Sequence, residues 1–174
     1  MSKKLFILVG AAGSGKSTWI REHLNTFNGC VKVVSRDDIR FRLVSEEEEY
    51  FSKEKEVFNE FIEEIKDGLE HCENTIADAT HLNEASRSKL LRALGPTLRD
   101  VEINAIVICT SLEKALDHNE NRKGTRSYVP RSAIRRMYYS QTLPSIEEGF
   151  NRVYIYQADK IGTKYTIIER NKNV

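Results

Sequence analysis

The sequence predicts an α/β fold, a parallel sheet covered by helices on both faces. Three observations lead there. Short apolar runs alternate with amphipathic stretches along the chain, as strand–helix–strand units require. The first run, Phe6-Ile7-Leu8-Val9, passes into the glycine-rich turn Gly10-Ala11-Ala12-Gly13-Ser14-Gly15-Lys16-Ser17-Thr18, which joins a buried strand to a helix. Val101 to Cys109 is apolar without alternation in its second half, the signature of a strand buried on both faces.

The elements follow in order. Thr18 to Phe27 is a helix with Trp19, Ile20 and Leu24 on one face, stopped at Asn28-Gly29. Val31 to Val34 is the second strand and delivers Ser35-Arg36-Asp37-Asp38-Ile39-Arg40 to its carboxyl end, where ligands of open α/β sheets bind. Ser45 with Glu48 reads as a capping box opening a long helix, whose apolar side (Phe51, Phe58, Phe61, Ile62, Ile65, Leu69) is assigned to the core. Asn74 to Asp78 is a third strand. Asn83 caps a helix with Leu90, Leu91 and Leu94 inward and Arg87, Lys89 and Arg92 outward, stopped near Gly95-Pro96. Ser111 begins the next helix, which runs into a polar segment, about 118–129, with the character of a lid. Pro130 suits the first position of the following helix. Val153 to Tyr156 is a fifth strand and Tyr165 to Ile168 a closing sixth. The expectation is one domain over residues 1–174.

Composition sets limits. With 174 residues, 40% hydrophobic and 30% charged, the chain can bury a sizeable core. No run of eighteen apolar residues occurs, so no membrane helix is indicated, and the N-terminal apolar stretch is too short for a signal peptide. Cys30, Cys72 and Cys109 are odd in number and widely spaced. Neither a disulfide nor a zinc site is expected, and the setting is read as reducing and cytoplasmic. The net charge of +1 hides an asymmetry. Residues 46–73 hold twelve acids against three lysines, whereas residues 121–146 hold six cations and no acid. The first segment reads as a solvated helix face. The second reads as a footprint for phosphate-bearing ligands, with a plain soluble surface as the alternative.

The turn after the first strand has the spacing G-x-x-x-x-G-K-S. Glycines let backbone N–H groups wrap a triphosphate, and the helix N-terminus favours its charge. Residues Gly10, Ala11, Ala12, Gly13, Ser14, Gly15, Lys16, Ser17 and Thr18 are therefore assigned to nucleotide binding. Lys16 reaches the β- and γ-phosphates and the Ser17 hydroxyl holds Mg²⁺. The chain is too short for motor or ring machinery and contains no N-K-x-D guanine-reading sequence. A carboxylate pair at the second strand's end and a basic lid are what phosphoryl transfer needs. Of Asp37 and Asp38, one is expected to cap the helix and the other to work. Asp78 is either a ligand to a Mg²⁺-bound water or a turn residue.

Taken together, G-A-A-G-S-G-K-S-T-W, S-R-D-D-I-R and K-G-T-R-S-Y-V-P followed by R-R-M-Y resemble the P-loop kinase domain of phage-type polynucleotide 5′-hydroxyl kinases, over most of residues 4–138. The resemblance implies a P-loop kinase fold with a central parallel five-stranded sheet flanked by helices and a basic lid. It implies ATP as donor, Mg²⁺, and 5′-hydroxyl ends of DNA or RNA as acceptors in nucleic-acid repair. Asp37 becomes the general base, Arg40 the contact to the acceptor's 3′-side phosphate, and Val129 the contact to the acceptor base. Two departures stand out. Lys123 precedes Gly124-Thr125 where the family has its lid arginine, so Arg126 is preferred as the catalytic arginine with Arg122 as the alternative. Asp78-Ala79-Thr80-His81-Leu82-Asn83 carries one residue more than the family's D-T-N-L-N, leaving Asp78 and Thr80 both as acceptor-side candidates. No D-x-D-x-T phosphatase sequence occurs, so the chain reads as a kinase-only protein or an excised domain, and a ligase or phosphatase is the kind of repair partner expected. Fold analogy puts adenine near Gln157 and Lys160. The rival readings are a kinase of a nucleoside or sugar, and a binding module that holds ATP without transferring phosphate.

Overall fold

The computed structural model describes residues 3–158 and 165–169. Its strands are β1 (Lys3–Val9), β2 (Val31–Ser35), β3 (Asn74–Asp78), β4 (Val101–Cys109), β5 (Arg152–Gln157) and β6 (Tyr165–Glu169). They form one sheet in the order β2-β3-β1-β4-β5-β6. The first five are parallel, and β6 closes the edge antiparallel to β5. The helices are α1 (Lys16–His23), α2 (Arg36–Leu43), α3 (Glu54–His71), α4 (Glu84–Leu94), α5 (Leu112–Glu120) and α6 (Arg131–Ser140). None is long and apolar enough to cross a membrane, among the described residues.

Alternation along β1 explains the layering. Leu5, Ile7 and Val9 pack with Phe61 and Ile65 of α3 and Leu90 of α4. Phe6 and Leu8, on the opposite face, meet Trp19 and Ile20 of α1 and Ile106 and Ile108 of β4. A strand covered on both sides has no polar face to spare, hence its unbroken apolar run. Parallel register then brings the carboxyl ends of β1, β2 and β3 to one edge. Ser35 lies beside Asp78, and the Gly10 N–H donates to the Thr80 carbonyl at 3.0 Å.

Several expectations need correcting. Only half of the Ser45–Glu48 box forms, the Ser45 N–H donating to Glu48 Oε2 at 2.8 Å. The Glu48 N–H goes to the Ser45 backbone carbonyl at 3.3 Å and closes a turn, and the helix starts only at Glu54. The reason lies in Glu54, whose carboxylate is held by Arg36 and Arg40 of α2 and fixes α3's first turn there. Phe51 consequently falls outside the core and is 62% exposed. Neither Asp37 nor Asp38 caps α2. Ser35 does, its hydroxyl accepting from the Asp38 N–H. Arg87 points inward and is fully buried, its guanidinium paired with Glu148 and bonded to the His81 and Thr142 carbonyls. Cys30 and Cys72 are joined as a disulfide, linking the residue before β2 to the end of α3. The predicted caps Asn83 and Ser111 both form.

Candidate active site

The loop between β1 and α1 folds around its glycines. Gly13 and Gly15 have φ of +79° and +103°, which L side chains rarely adopt. A Cβ on Gly13 would stand 2.2 Å from the Ala115 carbonyl oxygen, so the loop lies directly against α5. Lys16 Nζ donates to the Gly10 and Ala11 carbonyls at 2.8 and 3.0 Å. Burial lowers its pKa, against the raising effect of Asp78 and then Asp37; nearby Arg122 lowers it further. The Ser14 hydroxyl is buried in this cradle with no partner among the described residues. Left-handed glycines, an orphaned hydroxyl, a half-buried cation and the exposed Ser17 hydroxyl at the start of a helix fit a triphosphate with its Mg²⁺.

Two carboxylates face the loop. Asp78, at the end of β3, has its pKa pushed up to about 6 by burial; Lys16 opposes the shift, and Asp37 and Asp38 add to it. Asp37 sits in the first turn of α2 with its side chain 67% exposed. Arg40 Nη1 donates to Asp37 Oδ1 at 2.9 Å and the Tyr50 hydroxyl donates to the same oxygen at 3.3 Å. Arg40 is itself 5% exposed. Its Nη2 donates to Glu54 at 2.7 Å, and its guanidinium stacks over Tyr50 and Phe51. Glu54 and Tyr50 thus buttress the base candidate. Sequence spacing gives no warning of either, since each arrives from beyond the end of α2.

The lid candidates separate. Arg122 lines a small open pocket of about 200 Å³ with Gly13, Gly15, Ser17, Thr18 and His118. Arg126 reaches the other way. It donates to the Phe41 and Val44 carbonyls at 3.1 and 2.6 Å and lies over the Phe41 ring, capping the end of α2. In the structure, therefore, Arg122 and not Arg126 stands at the phosphate loop. Val129 is clamped by Asn119, which accepts from its N–H at 2.9 Å and donates to its carbonyl at 2.7 Å. Asn119 is fully buried, and a lone polar residue on the inner face of α5 is the signal that could have found it. His118 Nδ1 lies 2.9 Å from the Gly13 carbonyl oxygen, a second unforeseen tie between α5 and the loop. Thr80 supports the loop through its backbone. Gln157 ends β5, and Lys160 lies outside the described residues.

These placements give a first prediction. A transition-state arginine in phosphoryl transfer is worth about 10³-fold or more in rate. Arg122→Ala is expected to show such a loss in kcat, whereas Arg126→Ala should chiefly lower Tm, by freeing two carbonyls at the end of α2. Steady-state kinetics and thermal melts on the two variants check this, and a rate loss in Arg126→Ala alone would mean that the lid rearranges.

His81, in the segment after β3, gives a second prediction. Its backbone has φ of +42°, its ring is buried with Nδ1 2.8 Å from the Leu8 carbonyl oxygen, and burial pushes its pKa down to about 4. A base with a folded pKa below its unfolded one is protonated first in the unfolded chain. Stability is therefore lost as pH falls from about 6.5 toward about 4. Moving from about pH 7 to about pH 5 should cost about 2 kcal/mol through this group. Asp78 works in the opposite sense, because a raised carboxyl favours the folded state as pH falls. The pH dependence should therefore be compared between wild type and His81→Asn, which tolerates the positive φ; acid lability that persists in the variant would assign it elsewhere.

The comparisons fit this geometry. A family model described as an AAA domain, AAA_33, matches residues 5–144. A chain of the Pnkp1/Rnl/Hen1 RNA repair complex is 27% identical with a TM-score of 0.60, over 80% of this chain and 44% of that one. The protein described here thus spans less than half the length of the chains it matches in that complex. Kti12 of Chaetomium thermophilum in complex with ADP-AlF3 (16% identity, TM-score 0.63, 89% of each chain) shares the fold. So does a gluconokinase of Sinorhizobium meliloti 1021 (16%, TM-score 0.55, 91% of this chain and 84% of that one). No curated protein sequence matches. Matched over residues 5–144, the chain belongs to this AAA domain family, and its phosphate loop, strand order and covering helices make it a nucleotide-binding domain of the P-loop kinase type.

Proposed function

We propose that this chain is an ATP-dependent polynucleotide 5′-hydroxyl kinase acting in nucleic-acid repair. The observation that carries the reading is Asp37. It is a solvent-open carboxylate at the end of β2, held by Arg40 and Tyr50 and electrostatically coupled to Lys16 and Asp78. The acceptor oxygen bonds to the γ-phosphorus as the β–γ bridging P–O bond breaks and ADP leaves, and Asp37 takes the hydroxyl proton. Lys16 and Arg122 stabilise charge on the transferring group, and Ser17 would hold Mg²⁺, which adds charge neutralisation there. On the acceptor side, Arg40 meets the 3′-side phosphate, Val129 the base, and Asp78 and Thr80 border the pocket. The 27% identity to a chain of an RNA repair complex supports this acceptor class, and a ligase or phosphatase is the kind of partner that would share its ends.

The deciding experiment measures kcat/KM with ATP and Mg²⁺ on a 5′-hydroxyl oligonucleotide, a nucleoside 3′-monophosphate, the free nucleoside and gluconate. The expected order puts both phosphate-bearing acceptors well above the nucleoside. Arg40→Ala should narrow that gap, because a guanidinium–phosphate bond is lost only where a phosphate exists, and should also lower the rate on every acceptor, because Arg40 holds Asp37. Equal activity on nucleoside and 3′-monophosphate, or preference for gluconate, would replace this reading with a small-molecule kinase.

A further inference from the structure

Helix α6 presents a face that the catalytic geometry does not use. Its inner side is tied down at both ends. Ile134 is fully buried against Ala115 and Leu116 of α5, with Val129 and Ala12 of the phosphate loop packed around them. Beyond its last turn, the Thr142 N–H donates to the Leu82 carbonyl at 2.8 Å, next to the acceptor-side segment that follows β3. The helix therefore runs from the lid to the edge of the acceptor pocket. Its outer side carries Arg135, Arg136 and Tyr139, all exposed. Arg131 on the same side is paired with Glu120 at 3.0 Å, but neither Arg135 nor Arg136 has an acidic partner among the described residues. Tyr139 is 75% exposed and stands edge-on to Tyr138 at 5.7 Å. No acid occurs between residues 121 and 146.

We infer that the outer face of α6 is a binding surface for the single-stranded body of a polynucleotide whose 5′ end occupies the acceptor site. This rests on the polynucleotide reading and extends it from the terminal nucleotide to the strand behind it. Unpaired cations draw phosphates, and an exposed aromatic ring offers any base a stacking partner, so together they suit a strand without demanding a sequence. Arg135 and Tyr139 are one helical turn apart, about 6 Å along the axis, so a phosphate and a neighbouring base can be met together.

The test is fluorescence anisotropy of a short single-stranded 5′-hydroxyl oligonucleotide labelled at its 3′ end, over a salt series. Arg135→Ala/Arg136→Ala is expected to weaken Kd about tenfold or more at low salt and to flatten the log–log salt slope by about 1.4, about 0.7 for each phosphate released. Tyr139→Ala should cost about fivefold or more and Tyr139→Trp little. In kinetics, the same variants should raise KM for oligonucleotides and leave phosphorylation of a nucleoside 3′-monophosphate as it was. An unchanged Kd and salt slope overturns the inference. So does an equal loss on both acceptors, which would put the effect inside the acceptor pocket. Loss of binding to phosphatidylserine vesicles with unchanged oligonucleotide Kd would assign the face to a membrane instead. If no 5′-hydroxyl acceptor is phosphorylated at all, the kinase reading fails by itself, and the anisotropy series still decides whether α6 binds the strand.

Discussion

Lys16→Ala is expected to lower phosphoryl transfer by about 10³-fold. A preorganised cation at the site where charge develops acts in a water-poor pocket, where electrostatic stabilisation is strongest. Lys16 is half-buried, held by the loop carbonyls and electrostatically coupled to the carboxylates of Asp78 and Asp37. Its removal has a second, separable signature. Asp78 loses the cation that restrains its pKa, which should rise above about 6. Kinetics, carboxyl titration by NMR and the nucleotide-induced rise in Tm together distinguish a catalytic role from a structural one. A variant that still melts later with ATP and turns over normally would make the loop a scaffold.

Asp37→Asn should leave ATP affinity close to wild type and lower kcat by a factor of about 10² to 10⁴, the range for removing a general base. The fold should survive, because Arg40 keeps its bond to Glu54 when Asp37 becomes neutral. Asp38→Asn is the control. Its backbone N–H serves the Ser35 cap, and only its charge, felt at Asp78, is lost. Single-turnover rates with saturating ATP decide between them. A dead Asp38→Asn beside an active Asp37→Asn would reverse the two roles.

The parts of this molecule that were legible in the sequence are those written locally. The strand–glycine–helix junction, the unbroken β4 run and the Asn83 and Ser111 caps depend on neighbours within a few positions. Misreadings arose where a distant partner overrode a local rule. Arg87 looks like a solvent residue by helical period, yet Glu148 crosses from beyond α6 to neutralise it in the interior. The Ser45–Glu48 pair makes one hydrogen bond of its box and a turn instead of a helix, because Glu54, bound to α2, decides where α3 begins. The Cys30–Cys72 bond joins residues 42 apart in sequence that the pairing of β2 with β3 brings together. Arg122 and Arg126 are adjacent in pattern and opposite in direction, a difference set by the free carbonyls at the end of α2.

The strand order has a consequence for how the chain is made. β1, which leads into the phosphate loop, pairs with β3 at Asn74 and with β4 at Val101, and with no strand nearer in sequence. On a ribosome adding about 5–20 residues per second, β1 waits for seconds with both hydrogen-bonding edges bare. Leu5 and Ile7 must stay sheltered by something other than their final neighbours for that interval. Closing such long loops is slow by chain entropy, so nascent chains halted before β4 should be the aggregation-prone species, and those halted beyond it the first able to grip a nucleotide.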